Sequence, residues 1–286
     1  MTFVRVKRVR GRPYGYLVEN TWRAERGQSR QRVLGYLGRL DRFRPERLPA
    51  AHRTPEILHQ LTVMRAAERK RTLDTAARHR ERFVAALLAG DAARTARMAK
   101  EGIRDLGREE FLEHVLAGAL HEIGHRWSQG AVTVSQEHLA SAILIEYLAR
   151  LNGTRSPRAS TGPEVVLCVP DGEQHTLPLL LAEIPLREKG YRIANIGPSA
   201  PTESTAAIVR ARRPAGVLIS VTQPRCLESA GELARELRRQ LPNLRVAIGG
   251  QAVASSPTPP AFAGVELHRG PIADYLDAWP DVRPRS

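Results

Sequence analysis

Cysteine is nearly absent from this chain: Cys168 and Cys226 are the only two among 286 residues. They lie far apart and in no paired metal spacing, so a disulfide scaffold and a cysteine-based metal site are both excluded, and the two thiols read as reduced, ordinary side chains. Long apolar runs are missing as well. No stretch approaches the ~18 residues of a membrane span, and Met1 to Arg8 lack the uninterrupted apolar core of a secretory signal. The expectation is a soluble, cytoplasmic protein with no membrane partner.

Acidic residues are in deficit, with 30 Asp and Glu against 44 Lys and Arg, for a formal net charge of +14. A field of this sign raises association with polyanions. The surplus is uneven: residues 1–50 hold thirteen Lys and Arg against four Asp and Glu, a surplus of nine. In the same segment Val4 and Val6 alternate with Arg5 and Lys7, Gly11-Arg12-Pro13 makes a turn, Tyr14, Tyr16 and Val18 alternate again, and Val33 to Leu37 offers a third apolar run. Strand, turn and strand are expected, with a small sheet carrying arginines on its open side and aromatics between them. Such a face suits phosphate contacts and stacking. Arg5, Lys7, Arg8, Arg10, Arg12, Arg30 and Arg32 are the candidate nucleic-acid contacts, DNA or RNA; a solubilising face on a dimerisation arm is the alternative. Tyr16 to Glu19 followed by Arg30 to Gly38 resembles the N-termini of insertion-sequence transposases, over about forty residues that include nothing catalytic.

After Pro45 and Pro49 the composition turns to Ala, Arg, Glu and Leu. Helical spacing runs from Pro55 to about Ala89, Asp91 is placed to cap a second helix ending near Leu106 and Gly107, a third fits Arg108 to Ser128, and a fourth about Ser135 to Leu151. Short connections imply an antiparallel bundle, and Asn152 to Pro163 reads as a linker. Within the bundle, His121 and His125 are spaced i,i+4 but lack a third ligand. Trp127 stands at a helix end, where it serves either as core or as a lid on a ligand, and Glu137-His138 follows.

From Glu164 onward, apolar runs alternate with amphipathic ones. Strands are expected at Val165 to Val169, Tyr191 to Ile196, Gly216 to Val221 and Leu244 to Ile248, with helices at Pro178 to Lys189, Thr202 to Arg212 and Ser229 to Gln240. Continuous apolar strands between helices indicate a Rossmann-like parallel sheet buried on both faces. A Gly-rich phosphate loop is lacking after the first strand, which argues against dinucleotides. The strand exits carry instead Asp171-Gly172-Glu173-Gln174-His175, then Ser220 and Thr222, then Gly249-Gly250. Ligands of open α/β sheets gather beyond the carboxyl ends of the strands. His175 is therefore the candidate ligand of a metal-centred cofactor, with Glu173, or Asp171 as the alternative, fixing its tautomer, and the two glycines leave the backbone open to a bulky group.

Glu173-x-His175, Ser220-x-Thr222 and Gly249-Gly250, in this order, resemble the cobalamin-binding domain that takes its cofactor with a protein histidine on cobalt. Trp127, nine residues and Glu137-His138 are similar to the helical cap motif of the same family. The combination looks most like the light-sensing, adenosylcobalamin-dependent transcriptional repressors, and covers about residues 80–255. The chain reads as multidomain: a basic β-rich arm (1–50) and a helical linker (51–78) from the residues themselves, and, as the resemblance implies, a four-helix cobalamin cap bundle (79–155) and a Rossmann-like cobalamin-binding domain (163–286). It implies cobalamin as cofactor, adenosylcobalamin first and methylcobalamin as the alternative, with His175 the lower axial ligand. Trp127, Glu137 and His138 would lie over the upper face, and Ser220 and Thr222 on the nucleotide tail. A non-enzymatic, homo-oligomeric regulator, dimer or tetramer, is expected; a corrinoid carrier for methyl transfer and a cobalamin storage or trafficking module are the alternatives. Four positions depart from the family. Pro178 replaces a frequent Gly, Pro185 should kink its helix or end it early, the N-terminus has no winged helix, and Ser128 stands where those repressors carry the histidine that captures cobalt after photolysis. His125 lies about 200° around the helix from Trp127 and is a poor replacement; His138 is better placed, though in the family it serves the upper ligand by hydrogen bonding.

Overall fold

The computed structural model describes residues 2–9, 12–23, 28–40, 43, 48–153, 162–257, 261–270, 272–276, 279–280 and 282. It divides into two compact units, residues 1–140 and 141–286.

The first unit opens with an antiparallel sheet of β1 (Thr2–Val9), β2 (Arg12–Arg23) and β3 (Gln28–Arg39) in sequential order. Alternation puts Val4, Leu17 and Leu37 on one face, where they are buried with Leu40, Phe43, Leu48, Ile57 and Leu61. Ile57 and Leu61 belong to α1 (Pro55–Leu88), which starts with Pro55 behind Thr54, whose side chain accepts from the Ile57 amide at 3.4 Å. This helix runs unbroken across the 78/79 boundary expected between linker and cap. Asp91 Oδ1 caps α2 (Ala92–Leu106) through the Arg94 amide at 2.8 Å, and Gly107 (φ 86°) stops it.

The helix expected over Arg108 to Ser128 is there without a break but widens inside: α3 (Arg108–Glu110) passes into a π-helical stretch (Phe111–Leu116) and then α4 (Ala117–Ser128). Phe111 begins the π-helical stretch, meets Phe83 edge-on with centroids 5.6 Å apart, and fills the space a Cβ on Gly102 would need. Side-chain packing of this kind leaves no periodic trace. Helix α5 (Val134–Gly153) crosses the boundary between the units at 140/141, well before the expected linker. Its C-terminal end is held in the second unit, where Asn152 Nδ2 donates to the Leu180 carbonyl at 3.2 Å.

The second unit is a five-stranded parallel sheet, order β5-β4-β6-β7-β8, from β4 (Glu164–Cys168), β5 (Arg192–Asn195), β6 (Gly216–Ser220), β7 (Arg245–Gly249) and β8 (Glu266–Leu267). Val165, Leu167 and Leu218 pack on one side with Leu179, Ala182 and Leu186 of α6 (Leu177–Glu188) and with Tyr275 and Leu276 of α9 (Ile272–Leu276). Val166, Val217, Ile219 and Val246 pack on the other with α7 (Thr202–Arg212) and α8 (Leu227–Gln240). Helix α6 does not end at Pro185 but continues to Glu188. A proline costs its helix one donor, and here the turn beyond it is anchored by Ile184 and Leu186, both buried. With the first strand flanked by the second on one side and the third on the other, the chain reverses direction across the sheet between β4 and β6. Doubly wound sheets bind their ligands at this crevice.

Candidate functional site at the β4 and β6 exits

The loop leaving β4 is fixed before any side chain reaches solvent. Gly172 takes φ 81°, a value that suits a residue without Cβ. Its amide donates to Asp171 Oδ1 (3.0 Å) and Ser199 Oγ (3.1 Å), while Ser199 Oγ also donates to Asp171 Oδ1 (2.8 Å). The Ser199 amide donates to the Glu173 carbonyl at 2.8 Å, and Ser229 Oγ donates to the Asp171 carbonyl at 3.0 Å. Asp171 is thus a brace between loops, and the carboxylate at His175 is Glu173.

Glu173 is fully buried. Its Oε1 accepts from the amides of Gln174 (3.0 Å) and His175 (3.1 Å), and its Oε2 from those of Thr222 (2.9 Å) and Gln223 (2.8 Å) in the loop after β6. Oε1 also meets His175 Nδ1 at 2.5 Å. Burial pushes this carboxyl up, but the hydrogen bonds from His175 and from the amides of Gln223, His175 and Thr222 outweigh it and bring the pKa down to about 2. The carboxylate therefore stays charged and holds Nδ1–H as donor, which leaves the ring's lone pair at Nε2. The His175 side chain is 45% exposed, so its orientation is set from inside on a ring that reaches solvent. It does not cap α6, whose N-cap is Thr176.

Ser220 Oγ is buried and has no hydrogen-bond partner among the described residues. Thr222 is held through its amide, which donates to Glu173 Oε2. Gly250, at φ 105°, is required for an internal reason: a Cβ there would lie 2.4 Å from the Val221 carbonyl oxygen. The room ascribed to a ligand at this glycine is thus taken by backbone. A Cβ on Gly249 would meet the His268 carbonyl at 3.4 Å. Ser199, Gln223 and His268 were not singled out from the sequence. A serine amide, a glutamine amide and a neighbouring carbonyl carry no side-chain signal. The thiols are inert, since burial raises Cys168 to about 12 and also raises Cys226.

Among the described residues no group of three His, Cys, Asp or Glu could hold a metal ion. Residues 79–152 match a family described as a B12 binding domain, and residues 163–266 match a second family of the same description. Two stretches of this chain thus match B12 binding domains. It is 34% identical over 177 residues to the HTH-type transcriptional repressor CarH of Myxococcus xanthus and 29% identical over 175 residues to the repressor CarA of the same organism. Those matches cover 62% and 61% of this chain, and 58% and 59% of the relatives, so the chain spans less than two thirds of the repressors it matches. The monomethylamine corrinoid protein of Methanosarcina barkeri shares the fold: TM-score 0.56, 14% identity, 68% of this chain and 93% of that one.

The B12 binding domain at 163–266 contains the clamped pair Glu173-His175, Ser220, Thr222 and both glycines. The one at 79–152 contains Trp127, 46% exposed at the end of α4, and His138, whose Nδ1 meets Glu137 Oε2 at 2.6 Å on a largely exposed side chain. Ser128 Oγ turns back to the His125 carbonyl at 2.7 Å, and the rings of His121 and His125 stack 6.5 Å apart. No helix among the described residues is long and apolar enough to cross a membrane.

The basic residues of the N-terminal sheet are divided between its faces. Arg5 and Lys7 stand opposite Tyr16 and Tyr14, whereas the Arg12 guanidinium packs against Gly107. Arg8 has the opposite parity: period-two alternation turns it toward α1, where it pairs with Glu68. Arg30 and Arg32 likewise lie on the face opposite Gln31, and Arg10 lies outside the described residues. The expectation of arginines gathered on one open side is corrected accordingly.

Proposed function

We propose that this chain is a cobalamin-binding regulator in which His175, through Nε2, is the lower axial ligand of cobalt. The supporting observation is the Glu173 clamp. Four backbone amides hold a buried carboxylate on His175 Nδ1, which orients the ring and raises its basicity toward a metal. Ser220, with a buried hydroxyl that nothing else meets, would receive the nucleotide tail together with Thr222. Trp127, Glu137 and His138 enter by resemblance, as the residues that serve the upper face. Adenosylcobalamin, the expected form, supplies a light- and ligand-sensitive cobalt–carbon bond. The chain's own contribution is to bind, to hold His175 Nδ1 on Glu173, and to present the ring's other nitrogen. Loading with cobalamin changes the affinity of residues 1–50 for nucleic acid, and by linkage nucleic acid changes cobalamin affinity by the same factor. This reading is regulatory rather than enzymatic.

Absorption spectra of the purified chain with adenosylcobalamin and with methylcobalamin, before and after illumination, test it. Wild type is expected to give the signature of histidine-ligated cobalt, His175→Ala to lose it, and illumination to add no second histidine, because Ser128 is not a ligand. An unchanged spectrum in His175→Ala would remove the assignment.

A further inference from the structure

The outer face of the N-terminal sheet gathers three of the chain's six tyrosines. Register places Arg5 opposite Tyr16, Lys7 opposite Tyr14, and Tyr16 opposite Tyr36. The Tyr36 ring is the middle one: its centroid lies 6.1 Å from that of Tyr14, nearly parallel at 24°, and 5.2 Å from that of Tyr16. It is also 60% exposed. Val4, Leu17 and Leu37 build the core on the other face, whereas Val9 and Val33 on this one are exposed beside the rings. Next to it Arg5 meets the neutral Gln31 at 3.1 Å, and Lys7 has no ion pair among the described residues. The contrast is with Arg8 and Arg39, whose charges are answered by Glu68 and by Glu109 and Glu110. Two cations without an ion pair among the described residues thus flank a ladder of rings, Tyr36 the most exposed, in the most basic segment of the chain.

We infer that this face binds single-stranded nucleic acid, with bases stacking on Tyr36 between Tyr14 and Tyr16 and phosphates meeting Arg5 and Lys7. Aromatic side chains on an open sheet can stack only on bases whose flat faces are free, and a duplex hides those faces in its own stack. A duplex would use the cations and leave the rings idle. The inference rests on the nucleic-acid reading of residues 1–50 and is independent of the cobalamin site.

The test is fluorescence anisotropy of the full chain with a labelled mixed-sequence 20-mer, as single-stranded DNA, as single-stranded RNA and as the duplex of the same sequence. Single strands are expected to bind at least tenfold tighter than the duplex. Tyr36→Ala should weaken them about tenfold or more, Tyr36→Phe should keep the affinity, and Arg5→Gln with Lys7→Gln should weaken every probe. Duplex binding as tight as single-strand binding, insensitive to Tyr36→Ala but lowered by the cation pair, would overturn the stacking platform while leaving nucleic-acid contact standing. Absence of binding by all three probes overturns both. Self-association in sedimentation that Tyr36→Ala abolishes, without nucleic-acid binding, would assign the face to a second copy of the chain. Corrinoid spectra of the same preparations keep these outcomes separate from the fate of the His175 assignment.

Discussion

Glu173 is the residue through which the second unit's loops communicate. Its pKa lies near 2 against an ordinary 4.5, so the native state binds this proton more weakly than the unfolded chain does. The resulting stabilisation is fully present above about pH 4.5 and is lost as pH falls from there through 2. It is on the order of 3 kcal/mol. Chemical denaturation at pH 7 and at pH 3 should show the loss in wild type and a much smaller one in Glu173→Gln. At neutral pH that substitution should itself cost about 1–3 kcal/mol, because an amide NH2 would face two backbone N–H donors. It should also shift the spectrum of bound corrinoid, since a glutamine cannot hold His175 Nδ1–H as an anion does.

At the level of strands and turns, the site depends on how closely the β7 exit approaches the β6 exit. The Gly249 carbonyl accepts from the Val221 amide at 2.8 Å, and the Ala252 amide donates to the Val221 carbonyl at 3.0 Å. Gly250, at φ 105° and ψ 179°, occupies backbone space that L side chains rarely enter. Gly250→Ala should therefore destabilise the second unit by about 2–3 kcal/mol, read as a lower denaturation midpoint with cobalamin absent. A midpoint unchanged from wild type would mean that the β6 and β7 loops are not coupled here. The consequence is functional too, because Thr222 and Gln223, which clamp Glu173, directly follow Val221.

For the chain as a whole, charge decides what it meets. Residues 1–50 hold nine of the fourteen surplus positive charges, while Arg8 and Arg39 are compensated internally. Affinity for single strands should fall with salt, and the slope of log K against log salt should become shallower by about 1.4 when Arg5 and Lys7 are both replaced by Gln, at ~0.7 per phosphate contact. A slope unaffected by the double substitution would place the phosphate contacts elsewhere.

The alternation of apolar runs, the caps at Asp91 and Gly107 and the strand exits at His175 and Gly249 were legible along the chain because each is local: a period, a turn or a residue type beside a run. The likeness to cobalamin-binding proteins was legible for the same reason, as short motifs in order. What required the tertiary structure is every relation that spans distance. The 2-1-3-4-5 order of strands, the amides of Thr222 and Gln223 on a carboxylate 49 and 50 residues earlier, the turning of Arg8 away from Arg5 and Lys7, and the contact that makes Gly250 obligatory are set by packing. Local periodicity states which face of a strand is apolar; only the assembled sheet states what that face, or its opposite, has been brought against.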